Sequence, residues 1–240
     1  MLMNTTRIPK KITTYDCPFA GDETPAVVRV EHFDNCGRLT LEEMTGTEEC
    51  SARVDRIEHF YDPGGHEVEI REYRVGSLFH RKINEFDDEG GELGFSEYDA
   101  DGFKVCDESI DWSYSGKVAR VKRTEYARYL APRTSRQVRY YHNDGKIAFI
   151  SEEGGLTKYC YNPEGRLVRE DMSHKGENGE VITDLVFEYN SSGDPCLMKC
   201  YEDGECVSTH ETEYEYDGNG LWIRSYLADA HDYRREIDYY

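Results

Sequence analysis

No stretch of this 240-residue chain approaches the roughly 20 apolar residues that carry a helix across a bilayer. Nor does Met1-Leu2-Met3-Asn4-Thr5-Thr6-Arg7 hold the apolar core of a secretory leader. Both absences lead to the expectation of a cytoplasmic protein without membrane contact, export by a route without a cleaved leader being the alternative. A sustained 3.6-residue apolar period is missing too, so no helix is expected. Residues 124–131 come nearest, with Tyr126 and Leu130 as their one i, i+4 pair before Pro132. Eight cysteines are present, yet none stands in a Cys-x-x-Cys pair, which removes the spacing support for zinc. Cys196, Cys200 and Cys206 form the one cluster, and Cys200 and Cys206 are expected to face each other across a hairpin as reduced, small apolar side chains.

Catalytic phrases are lacking as well. The eight histidines fall in no His-x-His or His-Glu-x-x-His arrangement, and no glycine run is followed by Lys-Ser or Lys-Thr. Among 49 acidic residues, two neighbouring carboxylates carry no information about glycosidase chemistry. The expectation is therefore no enzyme, no catalytic residue, no cofactor and no metal. With seven prolines and no Pro/Gly/Ser-rich linker, residues 1–240 read as a single domain.

What the chain does have is a phrase repeated about ten times: an aromatic, a short polar stretch, a glycine, then an apolar residue. It reads Phe33-Asp34-Asn35-Cys36-Gly37-Arg38-Leu39 and returns as Tyr61-Asp62-Pro63-Gly64-Gly65, Phe86-Asp87-Asp88-Glu89-Gly90 and Tyr98-Asp99-Ala100-Asp101-Gly102. Later copies are Tyr161-Asn162-Pro163-Glu164-Gly165-Arg166-Leu167, Tyr189-Asn190-Ser191-Ser192-Gly193 and Tyr216-Asp217-Gly218-Asn219-Gly220. Degenerate forms sit at Tyr114, Tyr141 and Tyr201. Asp or Asn can bond its own backbone two residues on, and Gly supplies the positive φ that closes a turn. The flanks alternate in period two, as in Val28-Arg29-Val30-Glu31-His32. Together these predict β-hairpins in series. The expected fold is all-β: an elongated, twisted or curled antiparallel sheet of roughly twenty strands. A last hairpin is expected to turn near Asp229–Asp232.

The phrase resembles the YD-repeat (Rhs-repeat) family, whose motif is Tyr-Asp-x-x-Gly-Arg-Leu. Phe33 to Leu39 and Tyr161 to Leu167 are its nearest copies here, and the resemblance extends over about residues 28–224. It implies curled or spiralling antiparallel sheets of the kind found in secreted or surface shells. From it comes the second functional expectation, a carbohydrate- or cell-surface-associated structural repeat protein.

Two series of turn aromatics share a rhythm. Tyr61, Phe86, Tyr98 and Tyr114 are 25, 12 and 16 residues apart; Tyr161, Tyr189, Tyr201 and Tyr216 are 28, 12 and 15 apart. This suggests an internal duplication into half-sheets, residues 26–116 and 137–240. At 38% apolar residues and a mean hydropathy of −0.80, a thick core is not available. Nineteen tyrosines can instead cover a thin buried face while keeping their hydroxyls wet.

Net charge is −20, which disfavours nucleic acid and anionic headgroups and favours basic partners. The expected function is a non-enzymatic, protein-binding β-repeat module, in its most specific form an acidic immunity-type inhibitor of a basic toxin domain. Asp87, Asp88 and Glu89 are the candidate acidic contacts. One segment breaks the acidity: Lys117, Arg120, Lys122, Arg123, Arg128, Arg133, Arg136 and Arg139 face Glu125 alone. Within it Arg128, Arg133 and Arg136 are candidate binding residues, either docked on the protein's own acidic strands or open to an anionic ligand.

Overall fold

The computed structural model describes residues 7–17, 25–45, 54–113, 116–176, 179–227 and 231–240. Every regular element among them is a strand: β1 (Pro9–Cys17), β2 (Ala26–Phe33), β3 (Leu39–Met44), β4 (Arg56–Tyr61), β5 (Glu67–Arg74), β6 (Ser77–Phe86), β7 (Glu92–Asp99), β8 (Lys104–Trp112), β9 (Val118–Ala127), β10 (Leu130–Tyr141), β11 (Ile147–Glu152), β12 (Gly155–Tyr161), β13 (Leu167–Gly176), β14 (Gly179–Tyr189), β15 (Pro195–Glu202), β16 (Glu205–Tyr216), β17 (Trp222–Leu227) and β18 (His231–Tyr239). The Tyr114 phrase, Cys50 and the tip of the last hairpin lie outside the described residues.

The turn phrase has one recurring construction. Asp34 N–H donates to the Arg38 carbonyl at 2.9 Å and Gly37 N–H to the Asp34 carbonyl at 3.0 Å. The Asp34 carboxylate accepts the backbone N–H groups of Cys36 (2.8 Å) and Arg38 (3.0 Å). The same pair of backbone bonds recurs at Asp62, Asp87, Asp99, His142, Asn162, Asn190 and Asp217. This is a three-residue hairpin loop, a type I turn closed by a residue with positive φ. Gly37, Gly165 and Gly193 take that place with φ of 80°, 80° and 99°. The ladder then slips by one residue at the turn aromatic, as at His32/Phe33, Phe60/Tyr61 and Cys160/Tyr161.

The rest of the phrase ties one hairpin to the next. Tyr61 hydroxyl donates to the Leu39 carbonyl (2.9 Å), Tyr161 to Ile147 (3.0 Å) and Tyr189 to Leu167 (2.7 Å). In each case the acceptor is the apolar position that ends the preceding copy. The cation after the glycine lies over the next tyrosine: Arg38 over Tyr61 at 4.9 Å, Lys146 over Tyr161 at 5.8 Å and Arg166 over Tyr189 at 5.6 Å. The aromatic, acidic, glycine, basic and apolar letters of the phrase thus have separate jobs.

Acid should expose one of them. Backbone N–H donation from Arg38 holds the Asp34 carboxyl below its ordinary range, and the His66 side chain does the same for Asp62. A carboxyl lowered in the folded state stabilises above its unfolded value and loses that contribution as pH falls through the folded value. Thermal midpoints are therefore expected to fall below about pH 4. The double variant Asp34→Asn/Asp62→Asn keeps the acceptor, as the native Asn162 and Asn190 do, and should show a shallower acid limb. Identical limbs for the two proteins would refute the assignment.

The strands pair in chain order. β1 is hydrogen-bonded to both β2 and β18, and β10 to both β9 and β11, so the 18-stranded antiparallel sheet closes on itself. An elongated, twisted or curled sheet was the expectation; the sheet is instead closed, because Lys11↔Asp238 through Cys17↔Asp232 form a continuous ladder. Closure also corrects two further expectations. A cytoplasmic place and the exclusion of a membrane rested on the missing apolar run. No described helix is long and apolar enough to cross a membrane. A closed sheet, however, satisfies its backbone groups strand to strand and needs no such helix to meet a bilayer. Neither expectation stands.

The chain forms two compact units: one of Met1–Asn84, Glu97–Phe103 and Thr212–Tyr240, the other of Glu85–Ser96 and Lys104–Glu211. Their interiors differ. In the first, Ile12 and Cys17 are buried beside Thr14, Glu31 and Glu42. Glu31 and Glu42 stand directly opposite each other on β2 and β3, and Arg29 bridges both. His59 continues the network, 3.0 Å from Glu42 and 2.6 Å from Glu67. In the second unit the core is apolar: Ile110, Ala119 and Val121, with Trp112 and Tyr141 packed on them. Beside it Arg139 and Glu108 form an ion pair at 2.9 Å, with the Glu108 side chain 4% exposed.

Candidate functional site

The alternation of β9 sorts its cations. Ala119 and Val121 point into the core of the second unit, together with Cys106, Glu108 and Ile110 from β8. Arg120 and Lys122 necessarily point the other way and are exposed. The register places Lys122 opposite Arg136 and Arg120 opposite Val138. Like charges directly opposite on one face cost stability, and no carboxylate lies within ion-pair distance of Arg120, Lys122, Arg133 or Arg136 among the described residues. Docking on the protein's own acidic strands holds for part of the segment only. Arg139 reaches Glu108, and Arg123 sits 3.6 Å from Glu125.

The outer half of this hairpin stands clear of its neighbours. β8 pairs with β9 as far as Cys106↔Glu125, and β11 pairs with β10 from Gln137 onward. Ala127 through Arg136 are all exposed. Along Leu130–Arg136 the outer edge of β10 has no strand partner among the described residues. Pro132 removes one donor from that edge, and the charges of Arg133 and Arg136 discourage strand addition. The turn at Arg128-Tyr129 contains no glycine. Tyr129 is 95% exposed and Leu130 76%.

Of the six candidate residues named from sequence, the hairpin carries Arg128, Arg133 and Arg136; Arg136 shares a face with Arg120 and Lys122 from β9, whereas Arg133, opposite Glu125, lies on the other. Asp87, Asp88 and Glu89 form an exposed turn elsewhere in the same unit. Asp87 is occupied there, its carboxylate accepting the N–H groups of Glu89 (2.9 Å) and Gly91 (2.6 Å). Tyr129 and Leu130 escaped sequence reasoning. The signal available was an apolar pair between two cationic strands, where a hairpin normally carries Gly, Asn or Asp.

Two other concavities have charges that are engaged. A groove of about 440 Å³ in the first unit is lined by Tyr15, Glu215, Arg224, Arg235 and Glu236. Arg224 is held by both oxygens of Asp232 at 2.6–3.2 Å, Tyr15 donates to Glu236 at 2.9 Å, and Arg235 lies over Trp222 at 3.5 Å. A groove of about 400 Å³ in the second unit contains Arg169, which bonds Asp171 and Asp184. No group of three His, Cys, Asp or Glu is placed to hold a metal among the described residues. Cys200 faces Ser208, and Cys206 faces Tyr201, because the two-residue turn at Asp203-Gly204 sets the register; the two cysteines are thus not directly opposed.

No protein-family model and no curated protein matches the chain. Solved structures similar to it include a porin-like protein from Bacteroides uniformis, at 10% identity over 97% of this chain and 99% of that one, with a TM-score of 0.34. A porin-like protein from Bacteroides vulgatus matches at 10% identity over 98% and 99%, with a TM-score of 0.38. A chain of the Photorhabdus luminescens Tc holotoxin pore matches at 10% identity over 91% of this chain but 14% of that one, with a TM-score of 0.25. At these scores no activity is carried from them to this chain.

Proposed function

We propose that this chain is a non-enzymatic binding module, in which a repeat-built β scaffold presents the β9–β10 hairpin to an anionic partner. The observation that carries it is the exposure of Arg120, Lys122, Arg133 and Arg136, without carboxylate partners among the described residues, in a chain of net charge −20. A protein with that many acidic groups has ample means to neutralise four cations internally. Leaving them open on one hairpin concentrates positive potential on one projecting element. The acidic turn offers less, since Asp87 is engaged with its own backbone and Asp88 and Glu89 remain for a basic partner.

Ion-exchange behaviour tests this. Despite its net charge, the protein is expected to be retained on a heparin resin at low ionic strength and released by salt, since screening shortens from roughly 30 Å at 0.01 M to about 8 Å at 0.15 M. Arg133→Glu/Arg136→Glu should abolish retention at an unchanged thermal midpoint, whereas Asp88→Asn/Glu89→Gln should leave the charge-reversal effect intact. Flow-through of the wild-type protein at low salt would overturn the proposal.

A further inference from the structure

We infer that the anionic partner of the β9–β10 hairpin is a phospholipid bilayer, with Tyr129 and Leu130 entering the interface and the cations behind them meeting the headgroups. This rests on the reading of the hairpin as the recognition element and names its partner. The order of chemistry along the hairpin supports it. The tip presents large apolar side chains beside Arg128, with Tyr129 95% and Leu130 76% exposed. Arg128 is adjacent in sequence. Arg133 and then the Lys122/Arg136 pair follow going inward. At about 3.3 Å per residue, Arg133 lies roughly 10 Å and Arg136 roughly 20 Å from Leu130 along the strand. An apolar tip buried about 5–10 Å in the headgroup–acyl boundary would leave these cations at and above headgroup level. Tyrosine suits that depth, since its ring is apolar and its hydroxyl wet.

A soluble polyanion would use the cationic face of the hairpin and has no need of the tip. An apolar pair at a tight turn also lacks a folding reason. Among the described residues, the other two-residue turns carry Val75-Gly76, Glu153-Gly154 and Asp203-Gly204, each with a glycine at positive φ. In the Arg128-Tyr129 turn neither residue has positive φ, so the tip can accept large side chains and presents them outward.

The test uses the full chain and sedimented vesicles, either of phosphatidylcholine alone or of equal parts phosphatidylcholine and phosphatidylserine. Binding is expected to the mixed vesicles at low salt and not to phosphatidylcholine alone. Tyr129→Ser/Leu130→Ser should weaken it by about tenfold or more while heparin retention is kept. Arg133→Glu/Arg136→Glu should abolish both. Leu130→Trp gives an independent reading: its emission should shift to the blue on mixed vesicles and stay unchanged with heparin. Heparin retention without vesicle binding would overturn the lipid partner and leave the binding-module proposal standing. Vesicle binding unaffected by Tyr129→Ser/Leu130→Ser, with no shift for Leu130→Trp, would overturn tip insertion. Loss of both heparin and vesicle binding in the wild-type protein would overturn both.

Discussion

Gly94→Ala is expected to lower the unfolding free energy by at least about 4 kcal/mol, beyond the usual range for a point substitution. Gly94 lies inside β7, is buried and has a φ of 141°, a conformation that side chains rarely adopt. A Cβ placed there would overlap the carbonyl oxygen of Glu108 and crowd the backbone of Ser109. Backbone in a paired strand cannot swing aside as the end of a lysine can. The contrast with Gly193 is useful: there the added Cβ meets the guanidinium of Arg166, a flexible group. Gly193→Ala should therefore be the milder change, at about 1 kcal/mol or somewhat more. Urea titrations of both variants check the order. A Gly94→Ala protein with a midpoint at or above that of Gly193→Ala would show that β7 and β8 do not approach this closely.

The second large effect concerns the Arg139–Glu108 ion pair beside the apolar core. Arg139→Met is expected to cost about 3–5 kcal/mol, because it leaves Glu108 charged with its side chain 4% exposed. The partner change Glu108→Leu alone should cost less, since Arg139 is 18% exposed and can turn its guanidinium toward water. Arg139→Met/Glu108→Leu together should recover most of the loss, as apolar replacements of a buried pair commonly do. The double-mutant cycle gives the coupling directly. Additive single effects would mean that the pair carries no interaction of its own.

The hairpins were legible because each is specified within a few residues. An Asp or Asn four positions before Arg38, His66 or Arg166 determines its own turn whatever happens elsewhere. Closure was not legible. It depends on β1 meeting β18, and nothing local in Lys11-Ile12-Thr13-Thr14 names Arg235 or Glu236 as neighbours. The charged interior of the first unit was hidden for a related reason. In Glu31-His32-Phe33 and Leu41-Glu42-Glu43, alternation alone assigns glutamates to solvent, and only the strand that supplies Arg29 or His59 reveals otherwise. Gly94 sits outside every turn phrase, so its close approach to Glu108 left no mark in the sequence. At the candidate site the cations of residues 117–139 were plain, and the segment was read as basic. What could not be read was which of them point outward: that required the register of β9 against β8, where Ala119 and Val121 mark the buried face.

The β1–β18 ladder has a kinetic meaning. Nearly all other pairings join hairpin neighbours, whereas Tyr15 and Glu236 are 221 positions apart. The entropic cost of a loop grows only with the logarithm of its length, so closing over some 220 residues instead of some 20 adds about 2 kcal/mol. The hairpins can form first and cheaply; the seam must wait for all of them. Until it forms, β1 and β18 are bare edges with open backbone donors and acceptors, able to take a strand from another chain. Refolding yield should therefore depend on protein concentration even where the closed sheet is indifferent to it.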